Sequence, residues 1–220
     1  MIFSYNFLID DKYFNFTGCE IASVIFLFIL GLNSFKEDFL FLSVNNVPRK
    51  VQFKGFLVSS LLVSCIISAI DITYFKLLQQ FVPYHPIFEV IYDGWLRRMP
   101  TPLGIITNFI WSVLLYIATF LIGYLISNFY YYMNRAAKIA ISVGVSVWFI
   151  IVFPIIDLKI MDGKLTQFIS DTIIFLAGIK FIDPSTAVSN PCIPVVSLSV
   201  ISIVTVGLSY LMMSRATVKK

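Results

Sequence analysis

Residues 104–127 read GIITNFIWSVLLYIATFLIGYLIS, and the uncharged run around them extends from Met99 to Asn134. A helix needs roughly 20 apolar residues to cross a bilayer, so this stretch is long enough. In hydrocarbon every backbone N–H and C=O must be bonded within the chain, which leaves a helix as the form of a single crossing segment. The rest of the chain has the same character. Hydrophobic residues make up 59% of the 220 residues and charged residues 13%, and the mean hydropathy is +0.90. A water-soluble fold of this length has too few polar groups in such a sequence to cover its surface. The composition therefore predicts an all-α polytopic membrane protein, with residues 1–220 forming a single transmembrane domain.

Working outward from that segment, further apolar runs cover about 18–35, 52–76, 138–157, 165–182 and 193–213. Pro83, Pro86, Pro100, Pro102, Pro184, Pro191 and Pro194 fall between them, where helix breakers belong. The run at 165–182 is unlike the others. Leu165, Phe168, Ile169, Ile173 and Leu176 form an apolar face, and Gln167, Ser170, Asp171 and Gly178 a polar stripe. Such a helix lies in the interface or re-enters, since a polar face needs water or protein; the other reading is a sixth span with Asp171 against its neighbours. Asp183-Pro184 reads as the cap and first residue of a short second helix, closing an outer amphipathic segment over about 165–190. The expected fold is five spanning helices plus this segment.

Charge placement orients the spans. If 165–182 does not cross, the loops at 36–54, 128–138 and 214–220 share one side and hold nine of the sixteen basic residues. Lys12, Lys76, Arg97, Arg98, Lys159, Lys164 and Lys180 are spread over longer segments on the other. The positive-inside rule then puts the short loops in the cytoplasm. Phe129, Tyr130, Tyr131 and Tyr132 before Arg135 suit an aromatic anchor at the inner boundary. Residues 1–17 lack the basic region and apolar core of a signal peptide, with Asp10-Asp11 interrupting them.

The first inner loop is the least ordinary. In Ser34-Phe35-Lys36-Glu37-Asp38-Phe39-Leu40-Phe41-Leu42, the residues Phe35, Phe39 and Leu42 recur on one helical face. Lys36, Glu37 and Asp38 supply a charged edge. Asn45-Asn46-Val47 follow, Pro48 stops the helix, and Arg49-Lys50 open the next span. A short helix over about 35–47 would lie on the membrane surface with its charged edge towards water.

Few residues point to catalysis. Cys19, Cys65 and Cys192 are widely separated, and His85 is the one histidine, so neither a disulfide framework nor a metal or acid–base site is indicated. There is no phosphate-binding glycine-rich motif and no basic tract suited to nucleic acid. Asp71 and Glu20 stand near outer ends of spans, where a carboxylate reaches the interface; as an intramembrane carboxylate Asp71 is also a candidate for a substrate path or outer gate. Trp95 with Arg97 and Arg98 reads as an outer anchor or a place to meet headgroups or an anionic substrate. Asp171 joins these as a possible outer gate. Gly144, Ser142 and Ser146 permit close helix packing on the fourth span.

An apolar span, an acidic pair, an amphipathic stretch, a turn ending in basic residues and a long span follow one another in that order. This resembles the membrane subunits of ABC-2 type transporters, the permeases of Gram-positive drug, bacteriocin and peptide exporters. Glu37 matches the acid that follows a span in that family, and Val47-Pro48-Arg49-Lys50 the turn; Gly31-Leu32-Asn33-Ser34-Phe35-Lys36-Glu37 also looks like its members. The resemblance implies that Phe35, Lys36, Glu37, Asp38, Phe39, Leu42, Asn45, Asn46, Arg49 and Lys50 form a coupling helix and turn. These would dock on a separate cytoplasmic ATP-binding subunit that carries ATP and Mg, with a second permease subunit completing the path in a bacterial cytoplasmic membrane. The chain itself would bind no cofactor. The family has one more helix before the first span, so this sequence resembles a member without it. A stand-alone membrane protein, such as a bacteriocin-immunity or structural protein, is the alternative.

Overall fold

The computed structural model describes residues 17–159, 161–183 and 186–215. The expectations for Asp10-Asp11, Lys12, Pro184, Lys219 and Lys220 lie outside them. The order is α1 (Glu20–Val44), α2 (Arg49–Leu78), α3 (Ile87–Leu96), α4 (Thr101–Tyr132), α5 (Arg135–Val147), a π-helical segment (Trp148–Val152), α6 (Phe153–Lys159), α7 (Lys164–Leu176), an antiparallel hairpin of β1 (Ile179–Asp183) and β2 (Thr186–Ser189), and α8 (Cys192–Arg215). Among the described residues, four helices are long and apolar enough to cross a membrane: Arg49–Leu78, Thr101–Tyr132, Arg135–Lys159 and Cys192–Arg215. At about 1.5 Å per residue the second of these reaches roughly 48 Å, well beyond a bilayer's apolar core. α1 is not among the four; it carries Glu20, Lys36, Glu37 and Asp38.

The uncharged helix α4 is the axis, with α1, α2 and α8 packed on it. Glycine decides how closely α1 approaches. A Cβ on Gly31 would overlap the Phe120 carbonyl and come within 3.1 Å of the Tyr124 nitrogen; one on Gly123 would overlap the Phe28 carbonyl and come within 3.0 Å of the Leu32 nitrogen. The two backbones touch, which small residues permit and dispersion rewards in a membrane. Leu27, Tyr116 and Phe120 fill the adjoining layer, flanked by Phe56, Val63 and Ile67 of α2.

Three expectations need correction. The stretch 35–47 is not a separate surface helix: α1 runs unbroken from Glu20 to Val44. Burying Phe35 and Phe39 against α4 keeps it on the bundle axis. The stop is the Asn45-Asn46 turn, where Asn46 takes φ 55° and the Val47 amide bonds back to the Leu42 carbonyl at 3.0 Å. Pro48 begins α2 rather than ending α1, its φ of −60° and ψ of 137° directing the chain into the new helix. Finally, Asp183 belongs to a strand, not to the start of a second outer helix.

Arg135–Lys159 stands apart. No residue of α5 or of the π segment is buried, and Ile139, Val143, Phe149 and Ile150 are among its exposed apolar side chains. The π turn precedes Pro154, which has no N–H for the carbonyl one turn back. Gly144 has nothing within 4 Å of where a Cβ would stand, so no close helix packing is seen at that glycine.

Candidate functional site

The two ends of the bundle are chemically different. At one end meet the α1–α2 turn, the α4–α5 turn and the end of α8. Phe35 and Phe39, 1% and 2% exposed, pack with Phe53, Tyr124 and Met213. Tyr131 meets Phe35 and Phe39 edge-on at 5.4 and 5.6 Å. The Tyr132 hydroxyl donates to the Met212 carbonyl, and the Arg49 guanidinium to the Ser214 carbonyl at 2.7 Å, one of the carbonyls that a helix C-terminus leaves unpaired. Tyr130 shares a hydrogen bond with Ser142 at 2.9 Å. This aromatic group therefore ties helices together.

The residues expected at the coupling interface divide accordingly. Lys36, Glu37, Asp38, Asn45, Asn46 and Lys50 are exposed. Phe35 and Phe39 are interior, Arg49 is committed to α8, and Leu42 is half-buried in a groove between α1 and α2. Asp38 lines that groove too; partial burial, then the adjacent Glu37, raise its carboxyl above the usual range.

The opposite end is held by carboxylates. Glu20 is buried, and its oxygens accept from the Tyr84 hydroxyl at 2.7 Å and from the Ile87 amide at 2.9 Å. It therefore caps α3 from another helix, where the dipole favours a negative charge. Burial, then the bond to Glu20, push the Tyr84 phenol upward. Asp157 does the same for α7, accepting from the Leu165 amide at 2.9 Å, the Thr166 amide at 3.3 Å and the Thr166 hydroxyl. The Tyr92 hydroxyl reaches the Ala177 carbonyl at 2.8 Å, and burial pushes that phenol up to about 12. Ser197 at the start of α8 donates to the Leu176 carbonyl at 3.1 Å. Both ends of the 164–190 segment are thus fastened at this end of the bundle.

The expected outer-gate residues do not converge. Asp71 accepts from the Tyr116 hydroxyl at 2.5 Å. Trp95 is half-buried against Phe88, Tyr92 and Trp111. Arg97 pairs with Asp93 of its own helix at 2.8 Å, while Arg98 and Asp171 are exposed. Of the five, only Arg97 lines the cavity of about 460 Å³ between α2, α3 and α4, alongside Lys76, Glu89 and Asp93. His85 is exposed, and among the described residues no three His, Cys, Asp or Glu side chains gather as a metal site does.

Other buried polar groups escaped the sequence reading. Ser60, Ser64 and Ser68 occupy one buried face of α2, and their four-residue spacing was a legible signal of close packing. Asn128 is wholly buried in α4 with both amide atoms unbonded, and the hydroxyls of Ser64 and Ser209 are unbonded as well. Gln52, 5% exposed, donates to the Val47 carbonyl at 2.8 Å, but its Oε1 has no partner.

No family model, curated protein or solved structure matches the chain. The described residues are predominantly helical, with four helices long and apolar enough to cross a membrane.

Proposed function

We propose that this chain is the permease subunit of an ATP-driven exporter of the ABC-2 type. It would lie in a bacterial cytoplasmic membrane with α1, α2, α4, α5–α6 and α8 as spans, and α7 with the hairpin at the outer interface. The observation that carries the reading is the α1–α2 turn. Lys36, Glu37 and Asp38 project from α1, Asn45 and Asn46 from the turn after it and Lys50 from the start of α2, and the root of α1 at Phe35 and Phe39 is locked into α4 and α8. A push on the turn would move α1 as one body. The same end carries Arg135, Lys138 and Arg215, which supports a cytoplasmic placement. The partner would be an ATP-binding subunit holding ATP and Mg, together with a second permease subunit. The exposed apolar side chains of Arg135–Val152 offer the surface for that second subunit, and apolar or amphipathic cargo fits spans with few buried charges.

Two measurements test the reading. The ATP-binding subunit expressed with this chain should co-purify with it, and Glu37→Lys should abolish stimulation of its ATPase while leaving the fold intact. With Cys19, Cys65 and Cys192 replaced by serine, a cysteine at Glu37 should react with an impermeant maleimide only after the membrane is opened; labelling of that variant in intact cells rules the transporter reading out.

A second reading, a stand-alone membrane protein such as an immunity protein, has one observation in its favour. Phe35 and Phe39, two of the apolar residues expected to dock, are spent inside the chain's own core and are not available to a partner. Purification from native membranes without any nucleotide-binding companion would select it.

A further inference from the structure

We infer that the groove between α1 and α2 at the basic-loop end binds a small amphipathic cation, an ammonium carried on an aromatic or alkyl body. α1 and α2 both pack on α4 and diverge above it, leaving a cleft of about 370 Å³, within the range of small-molecule sites. Its floor is aromatic. Phe56 stacks on Tyr124 at 3.6 Å and on Phe120 at 5.6 Å, and Phe35 meets Tyr124 edge-on at 5.4 Å. Such surfaces take apolar bodies and favour positive charge.

The polar groups of the cleft select the ligand's sign. Asp38 lines it, and among the described residues no basic side chain lies within ion-pair distance of that carboxylate. Gln52 lines it as well, more than nine-tenths buried, its carbonyl oxygen without a donor. A buried acceptor left unbonded is costly. Two acceptors and no cation above an aromatic floor call for a ligand that brings donors and positive charge. Gly55, Val51 and Ser59 form an exposed margin, and a Cβ on Gly55 would meet nothing within 4 Å, so the mouth is open beside it. The site goes beyond the exporter reading and does not depend on it, because equilibrium binding needs no ATPase.

The test uses the purified full-length chain in mild detergent with monodansylcadaverine, whose primary ammonium hangs from a fluorescent apolar ring system, and dansyl amide as the neutral counterpart. Saturable binding of the cation is expected, with dansyl amide failing to compete. Removing a charged hydrogen-bond partner should weaken binding about tenfold or more in Asp38→Asn, with a smaller loss in Gln52→Met. Gly55→Phe keeps both acceptors, fills the mouth and should abolish binding; it decides the matter if Asp38→Asn does not fold. Absence of saturable binding, equal competition by dansyl amide, or wild-type affinity in Gly55→Phe overturns the inference. The exporter reading survives any of these outcomes, since it is tested by co-purification and ATPase stimulation.

Discussion

The crossing of α1 and α4 can be challenged one methyl group at a time. Gly31→Ala puts a Cβ into the Phe120 carbonyl and 3.1 Å from the Tyr124 nitrogen, and Gly123→Ala puts one into the Phe28 carbonyl. The neighbour in each case is backbone, with no rotamer to move into, so the helices must part by roughly 1 Å to restore ordinary contact. Overpacking of this kind costs about 3 kcal/mol at the upper end of its usual range. Alanine's better helix propensity returns about 1 kcal/mol, leaving a net loss near ~2 kcal/mol per site. Gly144 and Gly207 have nothing within 4 Å, so alanine there should be neutral or stabilise by up to about 1 kcal/mol. Because Gly31 and Gly123 share one crossing, the double variant should lose less than the two single losses together: once the helices have parted, the second methyl finds room. The assay is reversible unfolding of the purified protein in mild detergent by titrated SDS, followed by circular dichroism. Wild-type stability in both Gly31→Ala and Gly123→Ala, or losses equal to those at Gly144 and Gly207, would refute the close crossing.

Three further outcomes are expected. Glu20→Gln weakens two hydrogen bonds to a buried carboxylate and should cost about 1–3 kcal/mol; in a double-mutant cycle with Tyr84→Phe the losses should be less than additive. Asp157→Ala removes the acceptor for the Leu165 and Thr166 amides and should expose 160–180 to limited proteolysis while α1, α2 and α4 stay protected. The phenols of Tyr84 and Tyr92 are both raised by burial, so the stability they contribute is complete below the ordinary phenol value of about 10 and drains only as pH rises through their folded values. Protection of the hairpin from amide exchange, corrected for intrinsic rate, should therefore not change between pH 6 and 9; a fall in that window would contradict the buried placement of these hydroxyls.

Much of this architecture was legible in the residues. The uncharged run around 104–127 had to be a helix whatever its neighbours, because its backbone has no other way to be bonded in lipid. The polar stripe of 165–182 marked α7 as different from the long helices, and the Asn45-Asn46 turn and the prolines set helix limits through local backbone preference. The amphipathic pattern Phe35, Phe39 and Leu42 was equally visible, but periodicity states only that a face is apolar, not what it meets. That face packs inward on Tyr124, Tyr131 and Met213, so a stretch built like a surface helix is the end of a long bundle helix.

Tertiary structure decided the remainder. Glycine at 31 and at 123 has no meaning singly; each is required only because the other helix's backbone lies against it. Glu20 and Asp157 are ordinary span-end carboxylates in sequence, yet they cap helices that begin 67 and 7 residues further on. The cleft with Asp38 and Gln52 exists because α1 and α2 both choose α4 and diverge above it. Local sequence determined where helices form, since hydrogen bonding and hydropathy act within a few residues. Which faces touch, and which acceptors are left without donors, depended on contacts between segments far apart in the chain.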